Sequence, residues 1–131
     1  MSDEPIDLAT ALASFDQLWS PRVLTRVNDY DVRVAKVRGE YIWHAHEDTD
    51  EFFLLIDGDL RIRLREGAVE RVVTLRPGSV FVVPRGVEHR PESDGGASIL
   101  LFEPTGTLTV GDHRGEVPDH IDATTGHPLE V

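Results

Sequence analysis

A chain of 131 residues with 40% hydrophobic and 28% charged residues is long enough to bury one core and too short for two. Its formal net charge of −11, with Lys36 as the only lysine, provides no basic face to displace counterions from a polyanion, which argues against a nucleic-acid partner. No apolar run approaches the ~20 residues that span a bilayer, and the absence of cysteine removes disulfides and thiolate ligands.

The N-terminus, Met1-Ser2-Asp3-Glu4-Pro5, is acidic and lacks the basic-then-apolar order of a secretory signal, giving a cytoplasmic expectation. The first predicted element is a short helix between Ile6 and Trp19, with Leu8, Leu12, Phe15 and Trp19 at helical spacing and Pro21 as its stop. From Val23 the texture is β. Strands are predicted over Val23–Val27, Asp31–Arg38, Tyr41–His46, Glu51–Ile56, Asp59–Arg65, Val69–Leu75, Val80–Val83, His89–Pro91 and Ala97–Glu103. The turns between them include Asn28-Asp29, Asp57-Gly58, Glu66-Gly67, Pro77-Gly78, Pro84-Arg85-Gly86 and Asp94-Gly95-Gly96. Many short strands without intervening helices predict an all-β sandwich or barrel. The chain then divides into a helical segment over 1–22, a barrel over 23–104 and an extension over 105–131 that is β-prone but glycine-interrupted as far as Asp112 and polar beyond it. His113, His120 and His127 in that extension have irregular spacing and are read as solvent-facing, not as ligands.

Chemistry concentrates around the third and fourth predicted strands. His44 and His46 flank Ala45, and since side chains alternate along a strand, both point to one face and can hold one ion. Glu51 opens the apolar run Phe52-Phe53-Leu54-Leu55-Ile56, where a buried carboxylate needs a cation or a proton. A second block, Gly78 to His89, pairs a β-branched strand with a Pro-x-Gly turn that aims His89 back into the barrel. Alternation puts Tyr41 and Trp43 on the face opposite His44 and His46, as core or interface residues. Ile42, Phe53, Leu55, Phe81, Val83 and Leu100 are the expected cavity lining.

These blocks resemble the two motifs of the cupin superfamily. Gly39, His44, His46, Glu51 and Gly58 follow the first motif, and Gly78, Pro84, Gly86 and His89 the second. Four residues, not five, separate Gly39 from His44, and Ser93 stands where the second motif ends in Asn. Within the superfamily the chain is similar to small single-domain metal-binding cupins of the mannose-6-phosphate isomerase-like type. The resemblance implies a jelly-roll barrel (double-stranded β-helix) with the short N-terminal helix outside it, and a metal held by His44, His46, Glu51 and His89.

Three imidazoles and a carboxylate leave an octahedral ion with two open positions, and such ligands suit one divalent transition metal per chain, Fe or Mn first, then Zn, Ni or Cu. The expected function is metal-dependent chemistry on a small organic molecule, of dioxygenase or isomerase type. A dioxygenase site needs no protein base; an isomerase does, and no residue stands out as one. Arg85 and Arg90 are the only local cations for a phosphosugar, and both read more simply as solvated residues. The alternative is a non-catalytic metal-containing binding or sensing module.

Two surfaces complete the reading. Arg61, Arg63 and Arg65 alternate with Leu60, Ile62 and Leu64 as the solvated face of a strand. If Glu51, Phe53 and Leu55 point inward, Phe52, Leu54 and Ile56 need cover, either from the helix or from a second copy of the chain, and a homodimer is expected.

Overall fold

The computed structural model describes residues 4–130; the leader reading at Met1 to Asp3 falls outside the described residues, as does Val131. The helix, α1, is Leu8–Ala13. The Asp7 side chain caps it by accepting the Thr10 N–H at 2.9 Å, and Ala11 and Leu12 form its buried face. It is shorter than the sequence suggests. The Ser14 hydroxyl donates to Ala11 O at 2.6 Å and closes the last turn, after which the chain joins the sheet: the Trp19 N–H donates to Lys36 O at 2.8 Å. Trp19 therefore enters the main core, 5% exposed, while Leu18 stays out at 43%.

The strands are β1 Arg22–Val27, β2 Tyr30–Glu40, β3 Glu51–Gly58, β4 Leu60–Glu66, β5 Val69–Leu75, β6 Val80–Val83, β7 Glu88–Pro104 and β8 His127–Pro128. They form an antiparallel all-β jelly-roll, apart from a parallel β1–β8 contact. The central strand is β7. Its first part pairs with β4, and its second part runs between β2 and β3, so one strand joins both layers.

Two predicted strands, His89–Pro91 and Ala97–Glu103, are thus one bent strand of 17 residues. The expected turn at Asp94-Gly95-Gly96 does not reverse the chain. The Asp59 carboxylate accepts the N–H groups of Asp94 and Gly95 at 2.9 Å each, which satisfies the backbone through a bend. Gly58, at φ 90°, lies against the backbone of Gly96 and Ala97, where a Cβ would collide.

Alternation sorts each strand. Leu60, Ile62 and Leu64 are inward and essentially inaccessible, each contributing roughly 1.5–3 kcal/mol of burial. Arg61, Arg63 and Arg65 face out, where Glu92, Asp94 and Glu88 pair with them at 2.9 to 3.0 Å. Phe53 and Leu55 point inward with Ala35, Val37, Ile99 and Leu101. On the outer face α1 covers Ile56 and Leu100, but Phe52 and Leu54 are only half-buried, and Val80 and Val82 beside them are 59% and 46% exposed. No helix among the described residues is long and apolar enough to cross a membrane.

Candidate metal centre

The segment Tyr41–His46, expected as a strand, is irregular and attached by single contacts. His44 and His89 exchange both backbone hydrogen bonds, at 3.1 and 2.9 Å. The His46 carbonyl accepts the Gly86 N–H at 2.9 Å, at the turn preceding His89. This pairing places the two motif blocks face to face, with the His44 and His89 rings 4.2 Å apart and the His44 and His46 rings 5.1 Å apart. Glu51, first residue of β3, faces the same point. Ligating atoms of His44, His46, Glu51 and His89 all lie within 4.8 Å of one another, and all four residues are buried.

The orientation of the rings favours a cation. Nδ1 of His44 lies 2.9 Å from Ile42 O, and Nδ1 of His89 lies 2.9 Å from Val87 O. A carbonyl only accepts, so each Nδ1 donates, and in the neutral ring Nε2 is left as a lone pair. Yet Nε2 of His89 is 2.8 Å from Glu51 Oε1, two acceptors in contact unless a proton or an ion lies between them. His46 Nε2 sits 3.1 Å from Glu51 Oε2 but makes no hydrogen bond of acceptable alignment. An ion bound by all three rings and the carboxylate satisfies each of these atoms. The cluster fits a metal site.

Electrostatics agree. Burial, reinforced by His89, pushes the His44 imidazole down to about 3, so it stays neutral with its lone pair available. Burial works against both charges of the Glu51–His46 pair, but their mutual attraction prevails: the adjoining imidazoles hold Glu51 well below the usual carboxylate range, and the carboxylate lifts His46 above its ordinary value.

Tyr41 is not on the far face. Because the segment lacks strand alternation, its ring meets His44 edge-on at 5.1 Å and stacks on Trp19 at 4.9 Å. Trp43 does lie outside, beneath the guanidinium of Arg65 at 4.1 Å. Beside the cluster is a cavity of about 40 Å³ whose walls include Trp19, Tyr41, His44, Glu51, Phe53, Ile99, Leu101, Glu103 and Thr109. Of the expected lining, Phe53 is present; Leu55 and Val83 are core, Ile42 and Phe81 pack against the core, and Leu100 has the opposite parity and faces α1.

Glu103 in the wall and the residues behind it carry no motif. Arg33 is fully buried between Asp31, at 2.9 Å, and Glu103, at 3.2 Å. Despite that partner, burial and the charge of Glu51 push the Glu103 carboxyl up to about 8. The inward parity of Asp31, Arg33, Ala35 and Val37 was the available signal. The extension contributes Val110 and Ile121 to the core. It also contributes Asp112, bonded to Ala45 between the two histidines. His113, His120 and His127 bond to Glu116 O, Glu40 O and Asp122 respectively and lie outside the cluster.

Comparison with known proteins is consistent with this geometry. The cupin domain family profile matches residues 31–103. A solved cupin-2 domain containing protein from Shewanella frigidimarina NCIMB 400 is 40% identical, with a TM-score of 0.71 over 76% of this chain and 93% of that one. YdbB of Bacillus subtilis (strain 168) is 36% identical over 70 residues, 53% of this chain and 59% of the relative. The 3-hydroxyanthranilate 3,4-dioxygenase of Bos taurus is 37% identical over 57 residues, 44% of this chain and 20% of the enzyme. The chain thus spans less than two thirds of either curated relative. With the profile covering more than half of its length and both motif blocks, the chain belongs to the cupin domain family.

Proposed function

We propose that the protein is a metal-dependent cupin acting on a small organic molecule, with one divalent transition metal, Fe or Mn first and Zn, Ni or Cu next, held by His44, His46, Glu51 and His89. The observation that carries this reading is the buried meeting of three imidazoles and a carboxylate, with two rings fixed through Nδ1 so that Nε2 faces the carboxylate or the common centre. When bound, such an ion acts as a Lewis acid with open positions for substrate or O2. The chain's own contribution is enclosure and orientation. Phe53, Ile99 and Leu101 exclude water from the cavity wall, and the backbone anchors of His44 and His89 fix their lone pairs.

Dioxygenase chemistry is the preferred form. It needs no dedicated protein base, and the partial match to 3-hydroxyanthranilate 3,4-dioxygenase supports it. Isomerase chemistry of the kind implied by the mannose-6-phosphate isomerase-like resemblance is less well supported, because neither Arg85 nor Arg90 lines the cavity beside the cluster, and Arg90 pairs with Glu40 and Glu92. A binding or sensing module remains the second reading, favoured by the small size of the cavity. We further propose a homodimer formed through Phe52, Leu54, Val80 and Val82, a cytoplasmic location, and a barrel unit over 23–104 closed by the extension over 105–131.

The test is elemental analysis of protein purified without chelators or a nickel column, with His44→Ala as control. About one transition metal per chain, lost in the control, is the expected result. Protein that holds no metal and takes none up on titration overturns the reading.

A further inference from the structure

We propose that the pocket beside the His/Glu cluster takes a small, non-aromatic, oxygen-bearing ligand, an acid, carbonyl or alcohol of only a few carbons, and that Trp19 sets this size limit while Tyr41 and Glu103 read its polar group. This rests on the metal-site reading above and names the substrate class of that same site.

The size argument comes from the walls. The cavity, about 40 Å³, offers room for about three waters, or a few non-hydrogen atoms, whereas a cavity that admits benzene is about 150 Å³. What fills the missing volume is the Trp19–Tyr41 stack, rings 4.9 Å apart at an interplanar angle of 29°. Trp19 is fixed there. Its indole N–H donates to Arg38 O at 2.9 Å, its backbone N–H is bonded to Lys36 O, and its φ is 55°, an unusual conformation for so bulky a residue. A larger groove of about 490 Å³ lies beside His46. It touches only that one member of the cluster and is lined by Glu47, Asp48 and Asp112, which would repel an acid.

The polarity argument comes from two orphan atoms. The Tyr41 hydroxyl and Glu103 Oε2 are buried without any hydrogen-bond partner, and both residues line the cavity with His44 and Glu51. Such atoms are costly unless something meets them. Thr109 donates to Asp122 O and accepts from the Thr124 N–H, its remaining lone pair is open to the Tyr41 O–H, and Arg33 holds the other Glu103 oxygen. The unfilled capacity is therefore the acceptor side of the Tyr41 hydroxyl and one Glu103 carboxyl oxygen, facing a space of a few atoms. A ligand with oxygen at its metal-binding end and a short body satisfies both; a ring does not fit.

The test uses the Co(II)-loaded full chain and two chelators with the same metal-binding end, acetohydroxamate and benzohydroxamate, followed by the visible bands of the bound cobalt. Acetohydroxamate is expected to perturb the bands and to bind at least ~30-fold more tightly than benzohydroxamate. In Trp19→Gly, which removes the indole and suits a positive φ, that preference should fall to about threefold or less. Should this variant fail to fold by circular dichroism, Trp19→Leu is read the same way. Tyr41→Phe keeps the ring and should weaken acetohydroxamate about fivefold to tenfold with the size preference intact. Equal binding of the two chelators to the parent protein, or no response to either with cobalt bound, overturns the pocket proposal and leaves the metal reading standing. Failure to take up Co(II) at all overturns both.

Discussion

Asp112 grips Ala45 at both of its backbone polar groups: Oδ1 accepts the Ala45 N–H at 2.9 Å, and the Asp112 N–H donates to Ala45 O at 2.9 Å. Ala45 is the residue between His44 and His46, in a stretch that no regular ladder holds. A residue 67 positions later in the chain thereby fixes the backbone that aims two imidazoles. Gly111 makes this approach feasible, since a Cβ there would collide with Ala45 O.

Asp112→Ala should lower metal affinity by about tenfold, as loss of an outer partner of metal ligands does, while the melting temperature of the metal-free protein changes little. A competition titration against a chelating dye measures this. Undiminished affinity would show that the platform is rigid without the clasp.

Removal of a ring acts more strongly. His46→Ala should reduce metal affinity by orders of magnitude and leave the barrel folded, because Leu55, Leu60, Ile62 and Leu64 form a core independent of the cluster. In the parent protein, metal at a hundredfold excess over Kd should stabilise by about 2.7 kcal/mol, visible as a rise in melting temperature of several degrees that the variant lacks. Identical melting of apo and metal-treated parent protein would contradict the site.

The pH dependence has a defined sign. Glu51 raises His46 above its ordinary value of 6.5, so the metal-free site holds a proton that the ion must displace. Affinity should therefore climb with pH through and beyond 6.5 until that raised value is passed, with proton release seen as buffer-dependent heats in calorimetry. The same proton stabilises the metal-free fold: its contribution is fully present below 6.5 and is lost as pH rises through the raised value. His44, already neutral down to about 3, adds no proton release near neutrality. Buffer-independent heats at pH 6.5 would refute the pairing of His46 with Glu51.

The outer face of β3 and β6 gives a prediction about assembly. Leu54→Asp should dissociate the proposed dimer, halving the mass seen by sedimentation equilibrium without loss of the β-sheet circular dichroism signal. A parent protein that is already a monomer at micromolar concentration removes the interface.

The cluster was legible because its four members come in two short blocks, each with its own turn chemistry. Tyr41 and Trp19 were not. Strand periodicity misplaced Tyr41, since Tyr41–His46 is held by isolated bonds to Pro91, His89 and Asp112, not by a continuous ladder, and does not alternate. Helical periodicity assigned Trp19 to α1, although Ser14 ends the helix and the later residues meet β2. The extension read as β-prone but glycine-interrupted as far as Asp112 and polar after it, yet Val110 and Ile121 are core residues. Two apolar residues separated by glycines and acids carry no period from which their destination can be inferred.

The course of β7 bears on the order in which the molecule is assembled. Three members of the cluster lie within eight residues, His44 to Glu51, but His89 reaches them only on β7, whose partners in β2 include Tyr30 opposite Pro104 and Val37 opposite Ala97. Such distant pairings close late and slowly. A nascent or partly folded chain thus holds an incomplete set, and the proposed site is complete only when β7 docks. On the proposed reading, metal selection would belong to the finished barrel and not to the emerging polypeptide.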